Sequence, residues 1–292
     1  MYGAIAKNKR NTVIIMAVFV GIITAIGWTI SYFYGETSIT WWVLAGALLY
    51  ALIQYFAAGK LAVAMTGAKE IEKRDNPRLY RTVENLSITL GMPMPKVYII
   101  NDAAPNAFAT GRNPQHAIVA ATTGLLDSMD DRELNAVMAH EMGHVQNYDI
   151  RVSMIAFGLV SAIGLLSDIV LRMLFFGGDR RENGVHPFVY IIGIIILILA
   201  PIVAAIVQMA VSRQREYLAD ATGAMTIRDS EGMARALEKL QQYGRPMQKQ
   251  SSATAQLFIS NPLKSNFIGK LFSSHPPLED RINRLRNNAD KF

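Results

Sequence analysis

The hydrophobic positions of this chain fall in long runs, and polar segments separate these runs from one another. Residues 12–34 form a run of about 23 residues without a charge, and residues 40–58 form a second run after a short turn. Each run is long enough to cross a bilayer as a helix, and the first is too long for the core of a typical signal peptide. The pattern predicts an uncleaved transmembrane hairpin over residues 1–65, and not the buried core hairpin of a soluble protein.

Two further apolar runs lie in the second half of the chain. Residues 188–211 include a long aliphatic stretch and predict another membrane crossing. Residues 154–176 are apolar except for Asp168 and Arg172, which lie four positions apart and can pair on one helix face. Intramembrane charges are functional candidates, but Arg172 lies near the end of its run and can snorkel, so we interpret the pair as structural. We expect a second hairpin over residues 152–211, and about four transmembrane helices in total.

The remaining segments contain both helix and strand patterns. Asn76 followed by Pro77 is typical of a helix start, and residues 96–100 and 116–121 have the composition of strands. Because the apolar runs interrupt the soluble part of the chain, residues 66–151 and 212–292 must form one domain jointly. The predicted fold class is a mostly α-helical integral membrane protein with a soluble α+β domain that contains a small sheet.

Charged residues flank the first two apolar runs asymmetrically. The turn between the runs carries only Glu36, whereas the outer flanks are basic, with Lys7, Lys9 and Arg10 on one side and Lys60, Lys69, Lys73 and Arg74 on the other. By the positive-inside rule, both ends of the hairpin lie in the cytoplasm, and an even number of crossings places the soluble domain and both termini there. The net charge is +6, and the basic residues flank the apolar runs and do not form one continuous basic stripe. This distribution favours an anionic membrane surface over nucleic acid as a partner.

Composition excludes several kinds of chemistry. About half of the 292 residues are apolar, and the chain contains no cysteine. Disulfides, thiolate metal sites and cysteine nucleophiles are therefore excluded, and a reducing compartment is permitted.

The clearest chemical signal is the sequence His140-Glu141-Met142-Gly143-His144. Residues 128–134 before it contain the capping residues and acids of a helix start, so both histidines fall on a predicted helix. One helical turn separates the two imidazoles, which places them on the same side, where they can hold one zinc ion. Glu141 beside them can accept a proton from water. The alternative is a surface helix with two unrelated histidines, and the motif alone lacks the third protein ligand of a catalytic zinc site.

A second pair of polar positions follows the last apolar run. Glu216 and Asp220 lie one helical turn apart. A glutamate is a normal third ligand beside two histidines, and a second carboxylate one turn further on can accept the free N–H of a ligand imidazole. Such a pair is usually a solvated helix face, but here it follows a zinc motif in a chain with few other acidic clusters. We therefore predict Glu216 as the third metal ligand and Asp220 as the partner of a ligand histidine.

Two other segments are open to more than one interpretation. The sequence Asn106-Ala107-Phe108-Ala109-Thr110-Gly111 lies between the two predicted strands, and its spacing favours a packed hairpin over a strand edge that pairs with an extended peptide. His275 precedes two prolines that start a last helix. Its side chain can donate a hydrogen bond to an oxyanion, or it can cap that helix.

Together these features resemble the HtpX-type membrane zinc metalloproteases, which are related to the CAAX-processing prenyl-protein proteases and to the thermolysin-like gluzincins. The resemblance covers nearly the whole chain, from the two amino-terminal crossings through the His-Glu-x-x-His motif and the later apolar runs to Glu216. Residues 106–111 resemble the substrate-binding edge strand of that family, which reverses the preference for a simple hairpin. His275, with Pro276, Pro277 and Arg281, resembles its carboxy-terminal motif.

The resemblance implies four groups of site residues. The ligands of one zinc ion per chain are His140, His144 and Glu216. The catalytic residues are Glu141, as the general base, and His275, as a group that stabilises the transition state. The residues that hold an extended peptide are Asn106, Ala107, Phe108 and Ala109. The supporting residues are Asp220, Asp149 and Arg281.

The implied function is that of a zinc-dependent endopeptidase of the bacterial cytoplasmic membrane, which cleaves misfolded or damaged membrane proteins on the cytoplasmic side. The implied partners are unfolded or membrane protein substrates, the lipid bilayer and the chain itself through self-cleavage, with no nucleic acid. Two other classes of function are open on the residues alone. A non-catalytic membrane module could use zinc to join its soluble segments, but this requires a fourth ligand, and the sequence offers no obvious candidate. A transporter could use Asp168 and Arg172, but four crossings without paired broken helices do not favour it.

Overall fold

The computed structural model describes residues 2–159, 161–162, 213–249, 251–255, 257–262 and 276–289. The helices are α1 (Tyr2–Tyr34), α2 (Ser38–Thr66), α3 (Pro77–Leu90), α4 (Thr123–Ser128), α5 (Asp131–Gln146), α6 (described over residues 149–159), α7 (Arg213–Ile227), α8 (Ser230–Tyr243), α9 (Ser252–Ala255) and α10 (Leu278–Asn287). The strands are β1 (Lys69–Glu70), β2 (Lys96–Ile100), β3 (Ala107–Gly111) and β4 (Ala117–Thr122). The prediction of a mostly helical protein with a small sheet is confirmed.

Helices α1 and α2 have the length and the surface of membrane helices. The segments Ile5–Thr29 and Ser38–Thr66 are long and apolar enough to cross a bilayer. Most of the large apolar side chains that the described residues leave exposed lie on these two helices, and they include Trp28 and Trp42. Small residues such as Ala58 face the rest of the protein instead. A surface this apolar needs a cover, which a lipid bilayer provides.

The predicted second hairpin, residues 152–211, lies outside the described residues except for its first part. Asp168 and Arg172 also lie outside them. Within the described part, α6 is buried against the first hairpin, and the Tyr50 hydroxyl donates a hydrogen bond to the backbone oxygen of Gly158 at 2.8 Å. The structure therefore describes two candidate membrane helices of the four that the sequence predicts.

The sheet is mixed and has the order β1-β2-β4-β3. Strands β2 and β4 are parallel, whereas β3 pairs with β4 in the antiparallel direction, from Ala107 opposite Ala121 to Gly111 opposite Ala117. The 3₁₀ turn at Pro114–His116 joins these last two strands. Residues 106–111 therefore belong both to a hairpin and to the edge of the sheet, so the two interpretations of this segment are compatible.

Helix α3 begins and ends where the sequence predicts. The Asn76 side chain accepts a hydrogen bond from the backbone N–H of Leu79, Pro77 occupies the first helical position, and Gly91 terminates the helix in a left-handed conformation. A side-chain cap of this kind stabilises a helix by about 1 kcal/mol. The buried face of α3, which includes Val83, then packs on α5.

One hydrophobic core joins the two soluble stretches of the chain. It contains residues of α3, β2, β4 and α5 from the first stretch and residues of α7, α8 and α10 from the second. Met138 and Met142 of α5 lie in this core with Met233, Leu237 and Leu285. The motif helix is thus held between elements that are distant in the chain.

Candidate active site

Helix α5 carries the His-Glu-x-x-His motif, and reciprocal hydrogen bonds define its first turn. The Asp130 carboxylate accepts a hydrogen bond from the backbone N–H of Glu133 at 2.8 Å, and the Glu133 carboxylate accepts one from the backbone N–H of Asp130 at 2.9 Å. This capping box satisfies two donors that a helix start leaves without helical partners, and such a cap is worth about 1 kcal/mol. The predicted helix start is confirmed, and His140 and His144 lie one turn apart near the other end.

Helix α7 approaches α5 closely because Gly223 faces the motif. A Cβ atom at Gly223 would lie 3.0 Å from the backbone nitrogen of His140 and 2.7 Å from Met233 Cε. In a close-packed interior, a larger residue there would push the two helices apart. The same helix carries Glu216 and Asp220, each 3% exposed. The sequence analysis did not identify Gly223, whose only signal is a glycine inside a helical pattern.

His140, His144 and Glu216 form a cluster with the dimensions of a metal site. The two histidine Nε2 atoms are 3.1 Å apart. Glu216 Oε2 lies 3.6 Å from that of His140, and Glu216 Oε1 lies 3.6 Å from that of His144. Ligand atoms at about 2.0–2.1 Å from a tetrahedral zinc ion lie about 3.3 Å from one another. The donor types and their spacing therefore fit one ion of this size, and no other cluster of the described residues was found to fit.

The second ring nitrogen of His140 contacts a carboxylate that a buried arginine holds. His140 Nδ1 lies 2.9 Å from Asp220 Oδ1, and Arg281 donates hydrogen bonds of 2.7 and 2.8 Å to the same carboxylate. Burial alone would raise the pKa of Asp220, but the charge and hydrogen bonds of Arg281 lower it to about 2. Burial and the charge of Arg281 lower the pKa of His140 to about 4. A neutral His140 with its Nδ1–H directed at Asp220 leaves the Nε2 lone pair for a metal ion.

The second ring nitrogen of His144 contacts Asp149, just beyond the end of α5. His144 Nδ1 lies 3.1 Å from Asp149 Oδ2. Tyr148, beside Asp149, has a φ of 62°, a left-handed conformation that costs roughly 1–3 kcal/mol in a residue other than glycine. Burial alone would lower the pKa of His144, but the hydrogen bond to Asp149 and the charge of Glu216 raise it to about 9. A metal ion that binds His144 must displace a proton.

Two residues that the sequence analysis missed surround Asp149. Asn8 of α1 donates hydrogen bonds from Nδ2 to Asp149 Oδ1 at 2.6 Å and to the backbone oxygen of Asn147 at 2.9 Å. Arg215 Nε lies 3.7 Å from the same Asp149 oxygen. Both residues reach Asp149 across large distances in sequence, and no pattern along the chain indicates such contacts.

Glu141 is buried between the histidines and the sheet. It is 2% exposed, and the backbone N–H of Ala109 donates a hydrogen bond to its carboxylate. Burial raises the pKa of Glu141 to about 7. A carboxyl group with a pKa near neutrality can both accept a proton and return it, as general acid–base catalysis requires.

Strand β3 is the edge of the sheet, and a later segment of the chain covers its first half. The backbone N–H of Ile259 donates to Ala107 O at 2.9 Å. The Asn106 side chain donates to the backbone oxygen of Ser260 at 2.8 Å and accepts from the backbone N–H of Ser260 at 3.2 Å. Asn106 and Ala107, two of the residues predicted to bind a peptide, are thus engaged by their own chain.

The other two predicted peptide-binding residues have different surroundings. Phe108 pairs with Phe258 in an antiparallel bridge, with ring centroids 5.1 Å apart in an edge-to-face arrangement. Ala109 contacts Glu141 through its backbone. His275 lies outside the described residues, which resume at Pro276. Contacts join eight of the eleven other predicted residues into one cluster: His140, Glu141, His144, Glu216, Asp220, Asp149, Arg281 and Ala109. Asn106 and Ala107 contact the segment at residues 259–260 instead, and Phe108 lies in a separate part of the core.

A helix with a His-Glu-x-x-His motif, a glutamate from a second helix and a sheet edge beside them define a metallopeptidase. The model of peptidase family M48 matches residues 73–289, and the chain belongs to this family.

Full-length relatives support the same conclusion. The chain is 57% identical to a "Protease HtpX homolog" of Tropheryma whipplei, over the whole of both chains. It is 42% identical to a "Protease HtpX homolog" of Lactobacillus acidophilus, over 98% of this chain and 99% of the relative. The fold is similar to the crystal structure of S. mikatae Ste24p, with a TM-score of 0.53 and 18% identity over 98% of this chain and 67% of that one. The resemblance to HtpX-type proteases is confirmed, and the chain is a membrane-associated M48 metalloprotease that acts on protein substrates.

Proposed function

We propose that this chain is a zinc-dependent endopeptidase that cleaves misfolded or damaged membrane proteins at the cytoplasmic face of the bacterial plasma membrane. The observation that carries the proposal is the position of Glu141 beside His140, His144 and Glu216, whose ligand atoms lie within 4.8 Å of one another. The resemblance to HtpX-type proteases supports the substrate class and the compartment.

Three residues would hold the ion, and two carboxylates would orient the two histidines among them. His140, His144 and Glu216 would bind one zinc ion, which supplies Lewis-acid polarisation of the peptide carbonyl and of the attacking water. Asp220 and Asp149 accept the Nδ1–H of the two histidines and thereby fix the tautomer that leaves each Nε2 free to bind.

Two further residues carry the proton and the developing charge. Glu141 accepts a proton from the water as its oxygen attacks the carbonyl carbon, and it then transfers that proton to the amine nitrogen as the C–N bond breaks. His275 donates a hydrogen bond to the oxyanion of the tetrahedral intermediate. Because Glu141 performs both transfers, its raised pKa suits the two steps.

An extended peptide would bind along β3 through Asn106, Ala107, Phe108 and Ala109. Main-chain hydrogen bonds to a strand edge are insensitive to side chains, so we expect weak sequence preference. A peptide that pairs with Ala107 must first displace Ile259, whose backbone N–H donates a hydrogen bond to the Ala107 carbonyl. Substrate binding therefore requires the segment at residues 257–260 to move from the edge.

The proposed topology contains four transmembrane helices and one divided domain. Residues 1–65 and 152–211 form the two hairpins, residues 66–151 and 212–292 form the protease domain, and both termini lie in the cytoplasm. A reporter fused after Lys73 should be active as a cytoplasmic marker. Periplasmic or extracellular activity at that site would contradict the orientation.

Casein digestion by the full-length, detergent-purified protein tests the proposed reaction. Cleavage should stop with a chelator, return when zinc is added and be absent from the Glu141→Gln variant. Self-cleavage predicts fragments of the wild-type chain that the variant lacks. Chelator-resistant cleavage, or equal cleavage by the variant, would show that the proposed site does not perform the reaction.

A further inference from the structure

Asn8 is a buried polar residue of α1, among the basic residues that precede the apolar run of this helix. It is 4% exposed and belongs to a buried stripe of α1 with Thr12, Ile15 and Phe19. A buried carboxamide costs free energy unless its N–H groups have acceptors. Asn8 meets this requirement by donating from Nδ2 to two acceptors, both of which lie beside the site and not on α1.

Both acceptors lie where α5 joins α6, one in the connecting turn at residues 147–148 and the other at the first residue of α6. Asn8 contacts the backbone oxygen of Asn147 and the carboxylate of Asp149. The next residue of α1, Lys9, places Nζ 4.6 Å from the centre of the Tyr148 ring, within reach of a cation–π interaction. Two consecutive residues of α1 thus contact three consecutive residues at this junction, Asn147, Tyr148 and Asp149. Because Tyr148 has a left-handed backbone, the turn needs such contacts to keep its shape.

Asp149 connects this turn to the metal cluster. Its Oδ1 accepts from Asn8, and its Oδ2 lies 3.1 Å from His144 Nδ1. A carboxylate rotates about its Cβ–Cγ bond, so a hydrogen bond that holds Oδ1 also directs Oδ2. Arg215 Nε faces the same Oδ1 from α7 at 3.7 Å, which supplies positive charge but is too long for a directional hydrogen bond. The 2.6 Å hydrogen bond from Asn8 therefore orients this carboxylate toward His144.

We propose that Asn8 is a positioning residue for the metal site. Through Asp149 it aligns the imidazole of His144, so the first membrane helix contributes directly to metal affinity and does not only anchor the chain. This inference rests on the proposed function, because it requires His144 to be a metal ligand.

Zinc affinity of the full-length protein in detergent tests this inference. The dissociation constant is measured by competition with a chelator, and kcat and KM are measured with casein at limiting and at saturating zinc. Loss of a partner that orients a ligand histidine weakens metal binding by about 10–100-fold, and because Asn8 acts through Asp149 we expect about 10-fold for Asn8→Leu. Excess zinc should restore most of the activity. Asn8→Asp keeps the shape but removes both donors and places a like charge beside Asp149, so its loss of affinity should be at least as large.

Thr12→Val is the matched control. Thr12 is buried one turn further along the same face of α1, and its hydroxyl bonds only to the backbone oxygen of Asn8 among the contacts described. Its zinc affinity should equal that of the wild type. A purely structural role for Asn8 would lower the melting temperature but leave the zinc affinity of the folded protein unchanged.

The outcomes separate this inference from the proposed function. Wild-type zinc affinity in Asn8→Leu, or an equal loss in Thr12→Val, would overturn the positioning role and leave the proposed function intact. Absence of zinc binding by the wild-type protein would overturn both. If Asn8→Leu does not fold, the isosteric Asn8→Asp variant carries the same comparison.

Discussion

Glu141 and Glu216 have the same side chain and different proposed tasks, which isosteric substitution separates. Glu141→Gln keeps the size of the side chain and an oxygen that can accept from the Ala109 N–H, but it cannot take up a proton. Burial raises the pKa of Glu141 to about 7, close to the pH at which a general base is most effective. General acid–base catalysis contributes about 10²–10⁴-fold to a rate, so we expect kcat to fall by this factor. Zinc content should remain that of the wild type.

Glu216→Gln should have the opposite signature. Its carboxylate oxygens lie 3.6 Å from the Nε2 atoms of His140 and His144, and an amide would replace this proposed anionic ligand by a poor neutral one. Loss of an outer partner already weakens metal binding by about 10–100-fold, and loss of a ligand should weaken it by more. The variant should therefore lose zinc and activity together.

Glu133→Gln is the matched control for the loss of a buried carboxylate on the same helix as Glu141. Glu133 is fully buried and pairs with Lys239 at 2.6 Å, so its loss should lower the melting temperature but not the zinc content or kcat. Metal analysis and casein cleavage on the three purified variants provide the measurement. The assignment is wrong if Glu141→Gln strips zinc, or if Glu216→Gln keeps zinc and cleaves at the wild-type rate.

Three further predictions concern pH, substrate binding and the transition state. The pKa of His144 is raised from 6.5 to about 9 in the folded protein, so the protonated imidazole stabilises the metal-free fold. This stabilisation is on the order of 3 kcal/mol; it is fully present below pH 6.5 and is lost as the pH rises through 9. The melting temperature of the chelator-treated protein should fall between pH 6.5 and pH 9. A melting temperature that does not change over this range would show that His144 does not have a raised pKa. Peptide bound to the Glu141→Gln protein should increase hydrogen exchange at the Ile259 amide, and unchanged protection would place the substrate elsewhere. His275→Ala should lower kcat by about 10²–10³-fold with KM and zinc content unchanged, and loss of zinc would give His275 another role.

The elements with local signals were predictable from the sequence. The start of α3 at Asn76 and Pro77, the capping box of α5 and the two amino-terminal apolar runs depend on residues a few positions apart. The two histidines of the motif share a helix, so their spacing alone places them on one face. Strand β4 was expected to begin at His116 and begins at Ala117, because residues 114–116 form a 3₁₀ turn.

Contacts between distant segments needed the tertiary structure. The approach of α7 to α5 depends on Gly223 against His140, and the hydrogen bond from Asn8 to Asp149 joins residues 141 positions apart. The segment around Ile259 covers the β3 edge, which the sequence had left available for a peptide.

The sequence by itself therefore determined which residues are candidates for the chemistry and which helices carry them, because a helical period and a helix cap are short-range properties. Only the tertiary structure decided how the carboxylates of Asp149 and Asp220 meet the two histidines and what covers the strand edge. The physical reason is that these contacts result from the packing of whole helices around a common core, and the position of each helix depends on side chains throughout the chain.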